Sequence, residues 1–137
     1  MARLISLPTF TDPRGSLIPV EWNKVAPFEA KRLFFIRNVP KGARRGGHAQ
    51  REAFQLLVCA EGEVTVSVDD GKKNEVFVLK PDSRGLLLPP MVWAETYDFA
   101  PHTVLLVLTS VEYNPSEYIH DHREFEKITQ KNACKFR

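Results

Sequence analysis

The stretch RRGGHAQREAFQLLVCAEGEV, which runs from Arg44 to Val64, carries the pattern that decides the fold. It begins with a basic glycine turn and continues with a His-x-Gln pair, His48 and Gln50. An almost continuous apolar run follows, which is typical of a strand buried on both faces. Gly62 then marks a second turn. Glycine turns on either side of a buried strand indicate a β-sheet protein with short connections.

The segments around this stretch also have the pattern of strands. The segment EVTVSV, from Glu63 to Val68, alternates polar and apolar residues, as a strand with one buried face does. Asp69-Asp70-Gly71 then predicts a hairpin turn into a returning strand, EVFVL. Further short strands are predicted in KRLFFIRN, GLLL, VWAETYDF and TVLLVLTS. Strands at this spacing predict an all-β sandwich or barrel, with residues 1–137 forming a single domain.

Composition excludes several classes of protein. The chain has 137 residues, of which 43% are hydrophobic and 26% charged, so intrinsic disorder is excluded. A net charge of +2 is too small for a dedicated nucleic-acid-binding protein, and the apolar runs are too short to span a membrane. Because proline is excluded from helix interiors and central strands, the ten prolines indicate short elements separated by turns.

The cysteines and the N-terminal segment predict the compartment. Cys59 and Cys134 lie far apart in the sequence and are expected to be free thiols, as in a reducing cytoplasm. The segment MARLISLPTF lacks the continuous apolar stretch of a secretion signal. We therefore expect a cytoplasmic protein with no nucleic-acid or membrane partner.

The C-terminal segment differs from the rest because it predicts a helix. Asn114-Pro115-Ser116-Glu117 has the pattern of a helix cap, with proline in the first helical position. The helix is predicted from about Pro115 to about Lys131, and it would bury Tyr118, Ile119, Phe125 and Ile128. His120 and His122 are then expected on different faces of its solvated surface.

The opening stretch resembles the first motif of the cupin superfamily, which is His, any residue, His, four residues, Glu, six residues, Gly. His48, Gln50, Gln55 and Gly62 occupy its four positions. The second cupin motif is a proline-rich turn followed by a histidine. GLLLPPMVWAE resembles it, with Ala94 in the histidine position. The resemblance implies a cupin-type jelly-roll barrel, closed here by a short C-terminal helix.

The residues in the motif positions argue against a metal site. A cupin metal site uses imidazole and carboxylate donors, and only His48 of the expected set is present. Two neutral amides and a methyl group replace the other ligands. The sequence therefore predicts neither a metal nor another cofactor.

Within the cupins, the chain resembles the sugar-nucleotide 3,4-ketoisomerases, which act on dTDP-4-keto-6-deoxyglucose. The resemblance extends over nearly the whole chain and includes DPRGSL, PFEAKRLFFI, RGGHAQ, FQLLVCAEGEVTVSVDDG, GLLLPPMVWAE and LLVLTSVEYNPSEYI. It implies an isomerase on a dTDP-linked keto sugar, in dTDP-amino-sugar biosynthesis, and a homodimer with exchanged N-terminal strands. The family usually has histidine at Gln50, tyrosine in the segment of Phe34 and Phe35, and often His or Arg at Ala94.

The reaction that the resemblance implies needs a proton carrier. Moving a ketone from C4 to C3 requires loss of the C3 proton, an enediol intermediate and a proton delivered to C4. Histidine has a suitable pKa for this work, so His48 is the hypothetical acid/base. Gln50 could donate a hydrogen bond to the enediolate oxygen, which lowers the barrier electrostatically.

Substrate binding calls for cations and flat surfaces. A guanidinium binds phosphate or sugar oxygens in a two-pronged way, although a loop arginine can equally remain solvated. A tryptophan could stack on the base, although a strand tryptophan more often belongs to the core. Tyr97 and Tyr113 are weaker candidates. The predicted substrate-binding residues are Arg14, Arg45, Gln55, Trp93 and Glu95.

Three other functions remain open from the sequence. A non-catalytic cupin that binds a sugar nucleotide is favoured by the absence of a second motif histidine. An epimerase-like enzyme on a similar keto sugar would use the same proton abstraction. A metal-dependent oxygenase is disfavoured by the loss of ligands.

Overall fold

The computed structural model describes residues 1–135, with side chains described through residue 132. Twelve strands and one α-helix form within these residues. The strands are β1 (Arg3–Ser6), β2 (Phe10–Asp12), β3 (Gly15–Leu17), β4 (Arg32–Arg37), β5 (Arg45–Gln50), β6 (Gln55–Glu61), β7 (Val64–Asp69), β8 (Asn74–Leu79), β9 (Arg84–Leu88), β10 (Trp93–Tyr97), β11 (Val104–Thr109) and β12 (Tyr118–Ile119). The helix α1 spans His122–Lys135. The prediction of an all-β fold with a C-terminal helix is confirmed.

Ten of these strands form two antiparallel sheets of five. One sheet has the order β1-β9-β6-β11-β4, and the other has the order β12-β5-β10-β7-β8. Strands that are neighbours in a sheet are mostly distant in sequence, as in a jelly roll, and only β7 and β8 form a simple hairpin inside a large sheet. Because β5 and β6 belong to different sheets, the opening stretch of sequence crosses from one to the other.

The main core lies between the two sheets. The strand β7 buries alternate residues, Val64, Val66 and Val68, as its sequence predicts. These side chains pack with Leu57 and Leu105 of the opposite sheet. Fully burying an aliphatic side chain of this size contributes roughly 1.5–3 kcal/mol, so this layer stabilises the walls on which the site is built.

The N-terminal hairpin is separate from both large sheets. Strands β2 and β3 pair only with each other, and their apolar side chains Phe10 and Leu17 are exposed. The strand β4 lies at the edge of its sheet. Its side chains alternate, so that Leu33 and Phe35 are exposed on the outer face. The outer face of β4 and the hairpin therefore both present apolar surface.

The predicted helix start at Pro115 is wrong. Asn114 does cap a turn, because its side chain accepts a hydrogen bond from the Ser116 backbone N–H, but the turn is a 3-10 turn of three residues. The Glu117 carboxylate accepts hydrogen bonds from the backbone N–H groups of Glu52 and Ala53 instead of capping a longer helix. The chain then continues as β12, and α1 begins only at His122.

The C-terminal segment is held against β5 by a small second core. Ile119 and Phe125 are fully buried with Ala49, and Trp93 packs at the edge of this cluster. The prediction that Ile119 and Phe125 would be buried is confirmed. The sequence also predicts Tyr118 in this buried stripe, but Tyr118 is half-buried on the other face of β12, where it lines a cavity between the sheets.

Cys59 is a buried free thiol, and burial raises its pKa to about 11. The side chain of Cys134 lies outside the described ones. Within the described part of the chain, no helix has the length and apolar character needed to cross a membrane.

Candidate active site

A cavity of about 380 Å³ opens between the two sheets. Strands from both sheets and the segment after β11 form its walls. The apolar wall consists of Phe34, Ile36, Leu57, Leu88, Ala94, Leu105 and Val107. The polar and aromatic side chains at the cavity are Arg32, Arg45, His48, Gln55, Thr96, Tyr113, Tyr118 and His120. A mostly apolar cavity with a few polar groups from several elements is the usual form of a small-molecule site.

His48 lies in the cavity wall at the middle of the site. It is half-buried on β5, opposite Ala94 of β10, because the two strands are paired at that register. Burial, and to a smaller degree the charge of His120, lowers the pKa of His48 below its ordinary value of 6.5. The neutral imidazole is therefore the main form of His48 at neutral pH, and that form can accept a proton.

Gln50 lies two residues further along β5 and so shares the strand face of His48. It is buried, and its Nε2 has no hydrogen-bond partner among the described residues. An unpartnered buried donor costs about 1–3 kcal/mol. Gln50 is not among the residues that line the cavity. An ordered water or a ligand could supply the acceptor that its amide lacks.

Two of the predicted substrate-binding residues lie at the cavity with His48. Gln55 begins β6 and is half-buried in the cavity wall, as its position in the motif predicts. Arg45 begins β5 and is exposed at the cavity. The structure thus brings an imidazole, an amide and a guanidinium together around one space.

The other three predicted substrate-binding residues are not brought to this cavity. On β10, Ala94 and Thr96 line the cavity. Since side chains alternate along a strand, those of Trp93 and Glu95, on either side of Ala94, point to the opposite face. There Trp93 packs on His122 and Phe125, and Glu95 forms an ion pair with Arg44, at 2.7 Å.

Arg14 lies in the β2–β3 hairpin, and 90% of its side chain is exposed. Its guanidinium pairs with the carboxylate of Asp12, at 2.6 Å. This pair lowers the pKa of Asp12 and raises that of Arg14. Within one copy of the chain, Arg14 is therefore not part of the cavity.

The sequence interpretation missed several residues at the cavity. Arg32 of β4 donates a hydrogen bond from Nη1 to Tyr118 Oη, at 3.1 Å. Its guanidinium also lies 5.0 Å from the ring centroid of Tyr113. The sequence predicts His120 on a solvated helix surface, but His120 precedes the helix and lies at the cavity. The sequence YIHDH would have indicated the position of His120 if its first two residues, Tyr118 and Ile119, had been predicted as a strand.

The geometry suits proton transfer on a small polar ligand. The cavity wall holds the His48 imidazole and the guanidinium groups of Arg45 and Arg32. Gln50, with its unpartnered amide, lies on the same strand face as His48 but does not line the cavity. No three His, Cys, Asp or Glu side chains converge as metal ligands within the described residues. The two-sheet fold and this cavity define a cupin-type protein with an imidazole in the cavity wall.

Comparison with known proteins identifies the family. A family model described as FdtA, WxcM-like, C-terminal, matches residues 1–130. The chain is 36% identical, over 129 residues, to a TDP-4-oxo-6-deoxy-α-D-glucose 3,4-oxoisomerase from Aneurinibacillus thermoaerophilus, covering 94% of this chain and 93% of that one. The chain belongs to the FdtA, WxcM-like family. The predicted family resemblance is confirmed.

Solved structures agree with this assignment. A mutant of the 3,4-ketoisomerase QdtA from Thermoanaerobacterium thermosaccharolyticum, in complex with TDP-4-keto-6-deoxyglucose, has a TM-score of 0.92 at 32% identity and covers 95% of this chain and 94% of its own. A 3,4-ketoisomerase from Helicobacter canadensis has a TM-score of 0.91 at 33% identity, with coverages of 94% and 97%. A dTDP-4-dehydrorhamnose 3,5-epimerase from Bacillus anthracis, at 20% identity and a TM-score of 0.74, covers 85% of this chain and 76% of its own and shares the fold.

Proposed function

We propose that this chain is an isomerase that moves the ketone of a TDP-linked 4-keto-6-deoxyhexose from C4 to C3. The observation that carries this proposal is His48, a neutral imidazole held in the wall of a cavity between the sheets. The relatives named as 3,4-ketoisomerases, and the QdtA complex with TDP-4-keto-6-deoxyglucose, support the choice of substrate.

In the proposed reaction, His48 removes the proton from C3 of the sugar. The electron pair of that C–H bond forms the C3–C4 double bond, and negative charge develops on the oxygen at C4. The Gln50 amide donates a hydrogen bond to this oxygen, which satisfies the buried Nε2 and stabilises the charge. A proton then returns to C4, the C4 oxygen takes up a proton and the C3 hydroxyl loses its own, which completes the isomerisation without any net gain or loss of protons.

The remaining polar groups are proposed to hold the substrate. Arg45 is exposed at the cavity, where its guanidinium can bind the diphosphate or sugar oxygens. Gln55, half-buried on the opposite sheet, would bind a sugar hydroxyl. Both interactions position the C3–H bond against His48 and take no part in proton transfer.

The experiment is incubation with TDP-4-keto-6-deoxyglucose in deuterated water, followed by NMR. A 3-keto product carrying deuterium at C4 is the expected result, and His48→Asn should abolish it. Exchange at C3 without a 3-keto product would indicate partial or epimerase-like chemistry. Binding with no exchange in the unmodified chain would refute the isomerase and favour a non-catalytic sugar-nucleotide-binding protein.

We also propose that the chain forms a homodimer in which N-terminal strands are exchanged. The support is the pair of unpartnered apolar surfaces: the β2–β3 hairpin with Phe10 and Leu17, and the outer face of edge strand β4 with Leu33 and Phe35. Edge strands with exposed apolar side chains are prone to pair with another chain. Exchange would also carry Arg14 to the partner, away from the site of its own copy.

Light scattering after gel filtration tests this arrangement. The unmodified chain should elute as a dimer, and Phe35→Glu should shift it toward the monomer because it places a charge in the proposed interface. The matched control is Val76→Glu, which changes an exposed apolar residue on the edge strand β8 of the other sheet. A monomeric unmodified chain would refute the proposal.

A further inference from the structure

His120 lies beside His48 at the cavity. The two imidazole rings have centroids 5.7 Å apart and lie nearly perpendicular to each other. The ring of His120 also stacks on Tyr118, with centroids 5.7 Å apart and an interplanar angle of 12°. The pairing of Tyr118 with Gln50, and of Ile119 with Ala49, holds this segment on β5. His120 therefore reaches the cavity from an element outside the cupin motif.

The proposed isomerisation moves two protons. One leaves C3 and one arrives at C4. A second proton leaves the C3 hydroxyl oxygen and one arrives at the former ketone oxygen on C4. The product has the same atoms and electrons as the substrate, so no oxidant or co-reactant is required. A base at carbon and a separate carrier at the oxygens can perform these transfers together.

Few groups at the cavity can carry the second proton. Arginine remains charged in proteins, which excludes Arg32 and Arg45. The amides of Gln50 and Gln55 donate hydrogen bonds but do not carry protons. Tyr113 and Tyr118 also line the cavity, but imidazole is the side-chain group that ordinarily changes its charge near neutral pH. His120 is an imidazole, and it is exposed, so it can also exchange its proton with water.

We propose that His120 is the second catalytic residue, which gives a proton to the C4 oxygen and takes the proton from the C3 hydroxyl. This inference rests on the isomerase function proposed above. His48 acts at carbon and His120 acts at oxygen. The cupin motif has a second histidine at the position of Gln50. In this chain the segment after β11 supplies the second imidazole instead.

The test compares His120→Gln with His122→Gln, a matched control two residues away. His122 lies on Trp93 and pairs with Asp69 at 3.0 Å, outside the cavity. General acid/base groups contribute roughly 10²–10⁴-fold. We expect kcat for 3-keto product to fall about 100-fold or more in His120→Gln with little change in KM, and to remain unchanged in His122→Gln.

Isotope exchange separates a catalytic role from a structural one. In deuterated water, His120→Gln should still exchange the C3 proton, since His48 is intact, so the ratio of exchange to product should rise. Added imidazole should restore part of the turnover of His120→Ala, because the position is exposed. Unchanged turnover in His120→Gln, or equal losses of exchange and product, would overturn the role of His120. Absence of both in the unmodified chain would instead refute the isomerase proposal.

Discussion

Replacing Gln50 by Met should make the free protein more stable and the enzyme slower. The side chain is 5% exposed, and its Nε2 is a buried donor without a partner among the described residues. Such a group costs about 1–3 kcal/mol in the folded state. Met has a similar length and no donor, so most of this cost should be recovered. With roughly 4 °C for each kcal/mol in a domain of this size, Tm should rise by about 4–12 °C.

The same change should remove the proposed donor to the enediolate oxygen. Loss of one such donor lowers kcat by about 10²–10³-fold in other enzymes. Thermal unfolding followed by circular dichroism would give the first effect, and NMR detection of the 3-keto product would give the second. Gln130→Met is the matched control, because Gln130 lies exposed on α1 and should leave both quantities unchanged.

Gln50→Met should raise Tm and lower kcat, so two other combinations of Tm and turnover would contradict this prediction. A lower Tm together with slower turnover would indicate ordinary damage to packing around β5. A higher Tm with unchanged turnover would show that the amide is unsatisfied but has no part in the reaction. The second result would remove Gln50 from the mechanism, and the first would refute the assignment of a destabilising, unpartnered amide to Gln50.

Three further predictions follow from the burial and charge of individual residues. The folded state holds the pKa of His48 below 6.5, so its imidazole is neutral at pH 7. The acidic limb of a profile of kcat/KM against pH should therefore lie below pH 6.5. An acidic limb well above pH 7 would contradict this. Phe125→Ala should lower the free energy of unfolding by about 3–5 kcal/mol in urea titrations, since Phe125 is fully buried, whereas a loss below 1 kcal/mol would mean that α1 is not docked. Cys59, buried with its pKa raised to about 11, should resist iodoacetamide at pH 8 until the chain is unfolded, as peptide mass spectrometry would show.

The parts of the fold that depend on local pattern could be predicted from the sequence. The alternation of Val64, Val66 and Val68 was sufficient for β7, because burial of one strand face leaves a period of two. The motif register likewise placed His48 and Gln55 at one cavity. These predictions succeeded because neighbouring residues and turn chemistry determine them.

The errors came from contacts between distant parts of the chain. Asn114 and Glu117 have the pattern of a helix cap, but the Glu117 carboxylate binds backbone groups 64 and 65 residues away. This contact favours β12 over a helix, and without β12 the position of His120 could not be found. The error at Trp93 and Glu95 was of another kind: Ala94 holds the ligand position of the motif, so strand alternation turns both of its neighbours to the opposite face.

The two-residue strand β12 has a consequence for how the C-terminal segment can vary. Tyr118 lies at the cavity and Ile119 lies in the core beneath α1. The two adjacent side chains thus lie on opposite faces of β12, which pairs with β5 over only two residues. Inserting one residue at this point would exchange the two sides, placing an aliphatic group in the site and a phenol in the core. Length changes between Glu117 and His120 should therefore be poorly tolerated, even though His120 itself is exposed.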